Sequence, residues 1–154
     1  MQDEFIEMIA GNERDPDVWR ESLARFAEKT AMGPHDVSMV AIDDDGIELE
    51  MPMGDHARQI AGLLHGGVSM MLAESAASIH ACWGVELTEK FPVGIEIGAS
   101  HLEPATEGTI RAVATVVRRG ETHIVHRVEI RHHEQNRLLS ECRVTNYYRR
   151  PSGD

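Results

Sequence analysis

The spacing of apolar residues changes three times along this chain, and each change marks a different kind of element. Near the start they recur at helical spacing, first over residues 3–10 and then from Asp15-Pro16 through Trp19, Leu23, Phe26 and Ala27 to a stop near Gly33-Pro34. Asp15 supplies an N-cap oxygen, and Pro16 suits the first helical position, where its missing N–H is not needed. From Val37 to Ile42 and from Ile47 to Met51 the pattern shortens to alternation, and the intervening Asp43-Asp44-Asp45-Gly46 predicts a hairpin. Residues 66–82 return to helix, apolar on nearly every side. Beyond them the period is two again. Val93, Ile95, Ile97 and Ala99 form one set, Ile110, Ala112, Ala114 and Val116 a second, Ile124, His126, Val128 and Ile130 a third, and Ser140, Cys142, Val144 and Asn146 a fourth. Turns fall at Glu103-Pro104, Arg119-Gly120 and Gln135-Asn136. One long apolar helix with five or six antiparallel strands predicts an α+β fold. The curved sheet must wrap that helix, since nothing else in the chain covers so much apolar helical surface.

With 154 residues and 42% hydrophobic composition the chain can bury a core unaided, and no repeat or Pro/Gly/Ser-rich linker divides it. The expected organisation is an N-terminal helical extension over 1–34 and one domain over 35–150. Two cysteines, Cys82 and Cys142, with no Cys-x-x-Cys spacing, predict buried free thiols rather than a disulfide framework or a zinc site. The acidic start lacks the basic and then apolar character of a secretory signal, and no stretch reaches the roughly 18–20 apolar residues of a membrane span. A cytoplasmic protein is expected, with no membrane partner. A net charge of −11 argues against nucleic acid. The charge is unevenly placed: residues 1–100 carry 19 acidic against 6 basic side chains, while residues 101–154 carry 7 acidic against 9 basic, all Arg. Either these Arg side chains decorate the exposed faces of strands, or a small polyanionic ligand docks there, since the guanidinium fork matches phosphate.

The residue that most needs a reason is Glu74, the one permanently charged side chain between Leu63 and Trp83. An apolar helix belongs inside, and a carboxylate there is costly unless it is paired or does chemistry. Gly66-Gly67 at the helix start leaves first-turn amides open to an oxyanion or a carbonyl. Ser78 lies one turn beyond Glu74 on the same face, and Gly67 falls about 20° from it. His65, at the helix mouth, can fix the entering loop or donate to a ligand. Such a set suits acyl transfer.

His65-Gly66-Gly67 followed by Leu72-Ala73-Glu74-Ser75 resembles the hotdog-fold acyl-CoA thioesterases, in the branch that includes phenylacetate-pathway, hydroxybenzoyl-CoA and enterobactin-proofreading thioesterases. The resemblance continues through Val93-Gly94-Ile95-Glu96-Ile97, His101 and Arg119-Gly120, and covers residues 35–148, leaving the acidic N-terminal 30 outside. It implies that Glu74 attacks the thioester carbonyl or activates a water, that the Gly66 N–H polarises that carbonyl, and that Gln59 assists by hydrogen bonding there. Ser78 would orient the nucleophile, and His65 and His101 would stand in the active site. It also implies homodimers, pairing into homotetramers, in which the catalytic helix of one protomer faces a loop of another. A thioester carbonyl has little amide-like resonance, so a placed carboxylate, a water and a few N–H donors suffice, with no metal and no cofactor beyond the coenzyme A of the substrate.

Arg118, Arg119 and Thr122, around Gly120, are candidates for the phosphates or pantetheine of coenzyme A, with Gly67 and His101 on the substrate. The histidines do not favour a metal: His123 and His126 should face opposite sides of a strand, as should His132 and His133. His80 and His35 read as structural or exposed. A hotdog dehydratase or hydratase, hinted at only by Asp55-His56, and a non-catalytic acyl-CoA-binding module are the alternatives.

Overall fold

In the computed structural model, which describes residues 1–150, two helices come first, α1 (Gln2–Ile9) and α2 (Pro16–Ala27). The Asp15 carboxylate caps α2 by accepting from the amides of Asp17 and Val18. The helix stops short of the expected Gly33 because the Thr30 hydroxyl donates to the Ala27 carbonyl at 2.7 Å, diverting the last turn into tight turns. Trp19 is buried. Its ring lies 5.6 Å from Phe5 and 5.9 Å from Trp83, so the N-terminal helices join the same apolar core as the rest of the chain.

Six strands follow, β1 (Ser38–Ile42), β2 (Gly46–Pro52), β3 (Phe91–His101), β4 (Thr109–Arg119), β5 (His123–His132) and β6 (Arg137–Arg149), with the helix α3 (Gly66–Cys82) between β2 and β3. They form one antiparallel sheet in the order β1-β2-β4-β5-β6-β3, curved around α3, which touches β2 through β6. The helix presents small residues to the sheet: Ser69, Ala73, Ala76, Ala77 and Ala81 are buried beside Leu72, and their size lets the strands close in. The β1–β2 turn is held by the Asp43 carboxylate, which accepts from the amides of Asp45 and Gly46.

The C-terminal end of α3 is locked by polar contacts. His80 Nε2–H donates to the Asp43 carbonyl at 2.8 Å, which leaves His80 Nδ1 to accept from His126 Nε2–H at 2.7 Å. Both rings are buried, and burial pushes His80 down to about 4 and His126 down to about 3, so both are neutral at pH 7. Tyr148 Oη donates to the Ala81 carbonyl and Trp83 Nε1 to the Asp44 carboxylate. Cys82 and Cys142 are free and buried, with burial raising their thiols to about 12 and about 11. Among the described residues no helix is long and apolar enough to cross a membrane.

The sheet covers most of α3 but leaves the stripe through Gly67, Glu74, Ser75 and Ser78 partly or fully open, and Glu74 is exposed in the single chain. The small residues face the middle of the sheet, and the carboxylate lies at its margin, over the edge strand β3.

Candidate active site

The loop before α3 is drawn tight by its own backbone. Arg58 Nη1 donates to the carbonyls of Gly62 and Thr106 at 2.9 and 2.6 Å, Gln59 N–H to that of Leu63 at 2.8 Å, and His65 N–H to that of Ala57 at 2.8 Å. His65 then caps the helix, its Nδ1 accepting the Gly67 N–H at 2.8 Å. Of the two glycine amides expected to meet substrate, that of Gly67 is therefore already satisfied by His65, a correction to its expected role. The Gly66 N–H has no partner among the described residues. A side chain at Gly66 would run into His101, whose Nε2 lies 2.5 Å from the position a Cβ would take. His101 ends β3 and is held from behind by a 2.8 Å hydrogen bond between its Nδ1 and Ser140 Oγ. Gln59, Gly66 and His101 line one cleft of about 350 Å³ with Leu63, Leu64 and Pro104. The Gln59 carbonyl oxygen Oε1 accepts from the Ala61 amide, leaving its NH₂ end for the cleft.

Glu74 and Ser78 lie elsewhere in the same chain. Eight residues of helix put Glu74 about 12 Å along the axis from Gly66. Its carboxylate makes no hydrogen bond or ion pair among the described residues and rests over Gly94 of β3, with Oε1 2.7 Å from where a Gly94 Cβ would stand. A bulge between Gly94 and Glu96 breaks the pairing with β6 at this place. Ser78 accepts a 2.9 Å hydrogen bond from Nδ2 of the buried Asn146. Gly94 and Asn146 were not singled out as site residues from the sequence, although a polar side chain at the inward position of β6 was a visible signal.

At the β4–β5 turn the expected anion site divides. Arg119 Nη1 donates to the Trp83 carbonyl at 3.4 Å and to Tyr148 Oη at 3.2 Å, which ties one nitrogen of an otherwise exposed side chain to the end of α3. Arg118 is exposed and makes no such contact among the described residues. Gly120 closes the turn by donating its N–H to the His123 carbonyl at 2.8 Å, and Thr122 Oγ1 hydrogen bonds with His123 Nδ1 at 2.9 Å. His123 is exposed and His126 buried, and His132 buried and His133 exposed, as alternation on a strand requires.

The family model of the thioesterase superfamily matches residues 61–139, which carry α3 with Gly66, Glu74 and Ser78, together with Gly94 and His101. The chain belongs to the thioesterase superfamily. This thioesterase is 38% identical over 125 residues to the 1,4-dihydroxy-2-naphthoyl-CoA hydrolase of Escherichia coli, covering 81% of this chain and 90% of that one. It is 30% identical over 109 residues to the 1,4-dihydroxy-2-naphthoyl-CoA hydrolase of Listeria monocytogenes, covering 70% and 88%. Its fold superposes on a thioesterase crystal structure from Haemophilus influenzae with a TM-score of 0.81 and 32% identity, over 87% of this chain and 92% of that one. The thioesterase is thus a thioester hydrolase with the hotdog fold, and the hydratase and binding-module alternatives give way to hydrolysis.

Proposed function

We propose that this thioesterase hydrolyses an aromatic acyl-CoA thioester in sites shared between two copies of the chain. The observation that carries the reading is an uncommitted carboxylate, Glu74, eight helical residues and about 12 Å of axial rise beyond the Gly66 amide of its own chain, and seated over β3 instead of in the Gly66 cleft. One chain therefore holds two incomplete half-sites. The carboxylate rests beside β3, an eleven-residue strand at the edge of the sheet, with Val93 and Ile95 exposed along it. An open apolar edge invites antiparallel pairing with its own copy. Antiparallel pairing sets the Phe91–Gly94 end of one β3 against the His101 end of the other. That brings Glu74 of one copy toward Gln59, Gly66 and His101 of the second.

In that site the Gly66 N–H, aided by the helix dipole, and the Gln59 amide polarise the thioester carbonyl and hold the oxyanion as it develops. Either Glu74 attacks the carbonyl carbon, the coenzyme A thiolate leaves and a water then cleaves the acyl anhydride to free acid and Glu74, or Glu74 takes a proton from an attacking water and the thiolate leaves with free acid as the other product. The Arg118 side chain, with the Gly120–Thr122 turn, meets the coenzyme A phosphates. An aromatic acyl group is favoured because two relatives carry the name of a naphthoyl-CoA hydrolase.

The test is thiol release from benzoyl-CoA and from straight-chain acyl-CoAs. Glu74→Gln should lower turnover by at least about 10²-fold with folding intact, and a folded variant with full activity would remove Glu74 from the mechanism. Mixing Glu74→Gln copies with Gln59→Ala copies should restore activity, because a mixed dimer contains one site with neither lesion. No gain after subunit exchange would overturn the shared site.

A further inference from the structure

The fourth inward-facing set of the sheet ends in a residue that does not suit a core. Asn146 is fully buried on β6, and its amide reaches α3 to donate from Nδ2 to Ser78 Oγ at 2.9 Å. Its other end, Oδ1, is enclosed with no partner among the described residues. A buried amide with one end unsatisfied costs stability, and an apolar residue of similar volume would avoid that cost. The same side chain borders the seat of the Glu74 carboxylate. A Cβ at Gly94 would lie 2.7 Å from Glu74 Oε1 and 3.8 Å from Asn146 Nδ2, so both groups converge on one point of β3.

A hydroxyl has one proton to give. A serine inside a helix commonly spends it on the carbonyl four residues back, which for Ser78 is that of Glu74. No such bond forms here. Because the Asn146 NH₂ donates to Ser78 Oγ, that oxygen serves as an acceptor, and its own proton is left for a group on the exposed face of α3. One turn away on that face is the Glu74 carboxylate.

We infer that Asn146 is a positioning residue for hydrolysis, fixing the Ser78 hydroxyl as a donor toward the Glu74 carboxylate or the water it holds. This rests on Glu74 being the catalytic group, and deepens that reading by naming what sets the polarity of its neighbour. Asn146 does not touch substrate. Its effect passes entirely through Ser78, which separates this role from a merely structural one.

The experiment is a double-mutant cycle on the full-length protein with benzoyl-CoA, scoring kcat, KM and the thermal midpoint together. Asn146→Leu removes the donor at similar volume, and should lower kcat about tenfold, the worth of one hydrogen bond in the transition state, with KM unchanged and the fold retained. Ser78→Ala should lose a similar factor, and the double variant should lose no more than Ser78→Ala alone. Asn146→Asp, nearly isosteric but able only to accept at that position, should lose turnover as well, and it keeps the test open if the leucine variant does not fold. Full kcat in either folded Asn146 variant, losses that multiply in the double variant, or a change confined to KM would each overturn the inference. Glu74→Gln, run in parallel, separates the two claims. If it keeps full activity the hydrolytic role of Glu74 fails, whereas if it is inactive while the Asn146 variants are normal, only the role of Asn146 fails.

Discussion

Gly94→Ala separates the chemistry of Glu74 from the stability of the fold. The added Cβ would stand 2.7 Å from Glu74 Oε1, whereas ordinary contact begins near 3.4 Å, so the carboxylate must withdraw by about 0.7 Å. The atom that has to move is the tip of a flexible, exposed side chain, so the fold has little to lose. Gly94 lies in extended strand and lacks the positive φ that an alanine would resist. At such a position Gly→Ala stabilises by about 0.4–1 kcal/mol, chiefly by restricting the unfolded chain. For a chain of this size that corresponds to a rise of at most about 4 °C in the melting midpoint. Misplacing a reacting group by about 1 Å can cost up to about 10²-fold, so a displacement of this size should lower kcat by tenfold or more. The assay is steady-state thiol release from benzoyl-CoA alongside a thermal melt of the same preparation. A raised or unchanged midpoint with a depressed kcat is the expected pair. An unchanged kcat would refute the reasoning, because it would mean that the carboxylate is not used where it rests over β3.

Three further outcomes follow, two from the polar contacts behind α3 and one from the exposed Arg118. Burial holds His80 and His126 below the ordinary histidine value of 6.5, so the unfolded chain binds protons that the folded one does not. Stability should be full above about pH 6.5 and fall toward pH 4 by about 1.4 kcal/mol per pH unit for each histidine. Urea midpoints compared between pH 7.5 and 5, above the range where most carboxylates titrate, should decline, and should decline less in His126→Gln. Arg119→Met removes the donor to the Trp83 carbonyl and Tyr148 Oη, and should cost about 1 kcal/mol of stability with KM for acyl-CoA unchanged. Arg118→Ala should do the reverse, raising KM and leaving the melting midpoint in place.

Much of the architecture was legible because alternation and helical spacing mark where elements run and, in β4, β5 and β6, which side meets the core, whereas the apolar Val93 and Ile95 of β3 face outward at the sheet edge. The central helix was expected over 66–82 and runs Gly66–Cys82, and the four later strands fall on the four alternating sets. What spacing could not report is which polar groups compete locally with the backbone, and so the end of α2 was misplaced: the Thr30 hydroxyl takes the Ala27 carbonyl before Gly33 is reached. Gly46 shows the same limit. It read as part of an Asp-Gly turn, yet it is the first residue of β2, where a Cβ would strike the Ala114 carbonyl oxygen of β4. Its smallness answers a strand neighbour that is distant in sequence.

The site was legible as residue types but not as an arrangement. Glu74 stands out because a charge in an apolar helix needs a reason, and chemistry is the reason the sequence suggests, but the sequence does not show that its side of the helix is open in one chain. The helix has two unlike sides. Its small residues admit the sheet on one side, while its open stripe lies beside an edge strand, both of which look like core when counted along a sequence. An open stripe of α3 beside an apolar edge strand and a carboxylate without partners among the described residues are explained together if a second copy covers the stripe and supplies the amide donors. Arg119 shows the converse, since a cation beside a glycine turn carries no information about which way its guanidinium points. In this fold the unpaired carbonyl at the end of α3 claims it first.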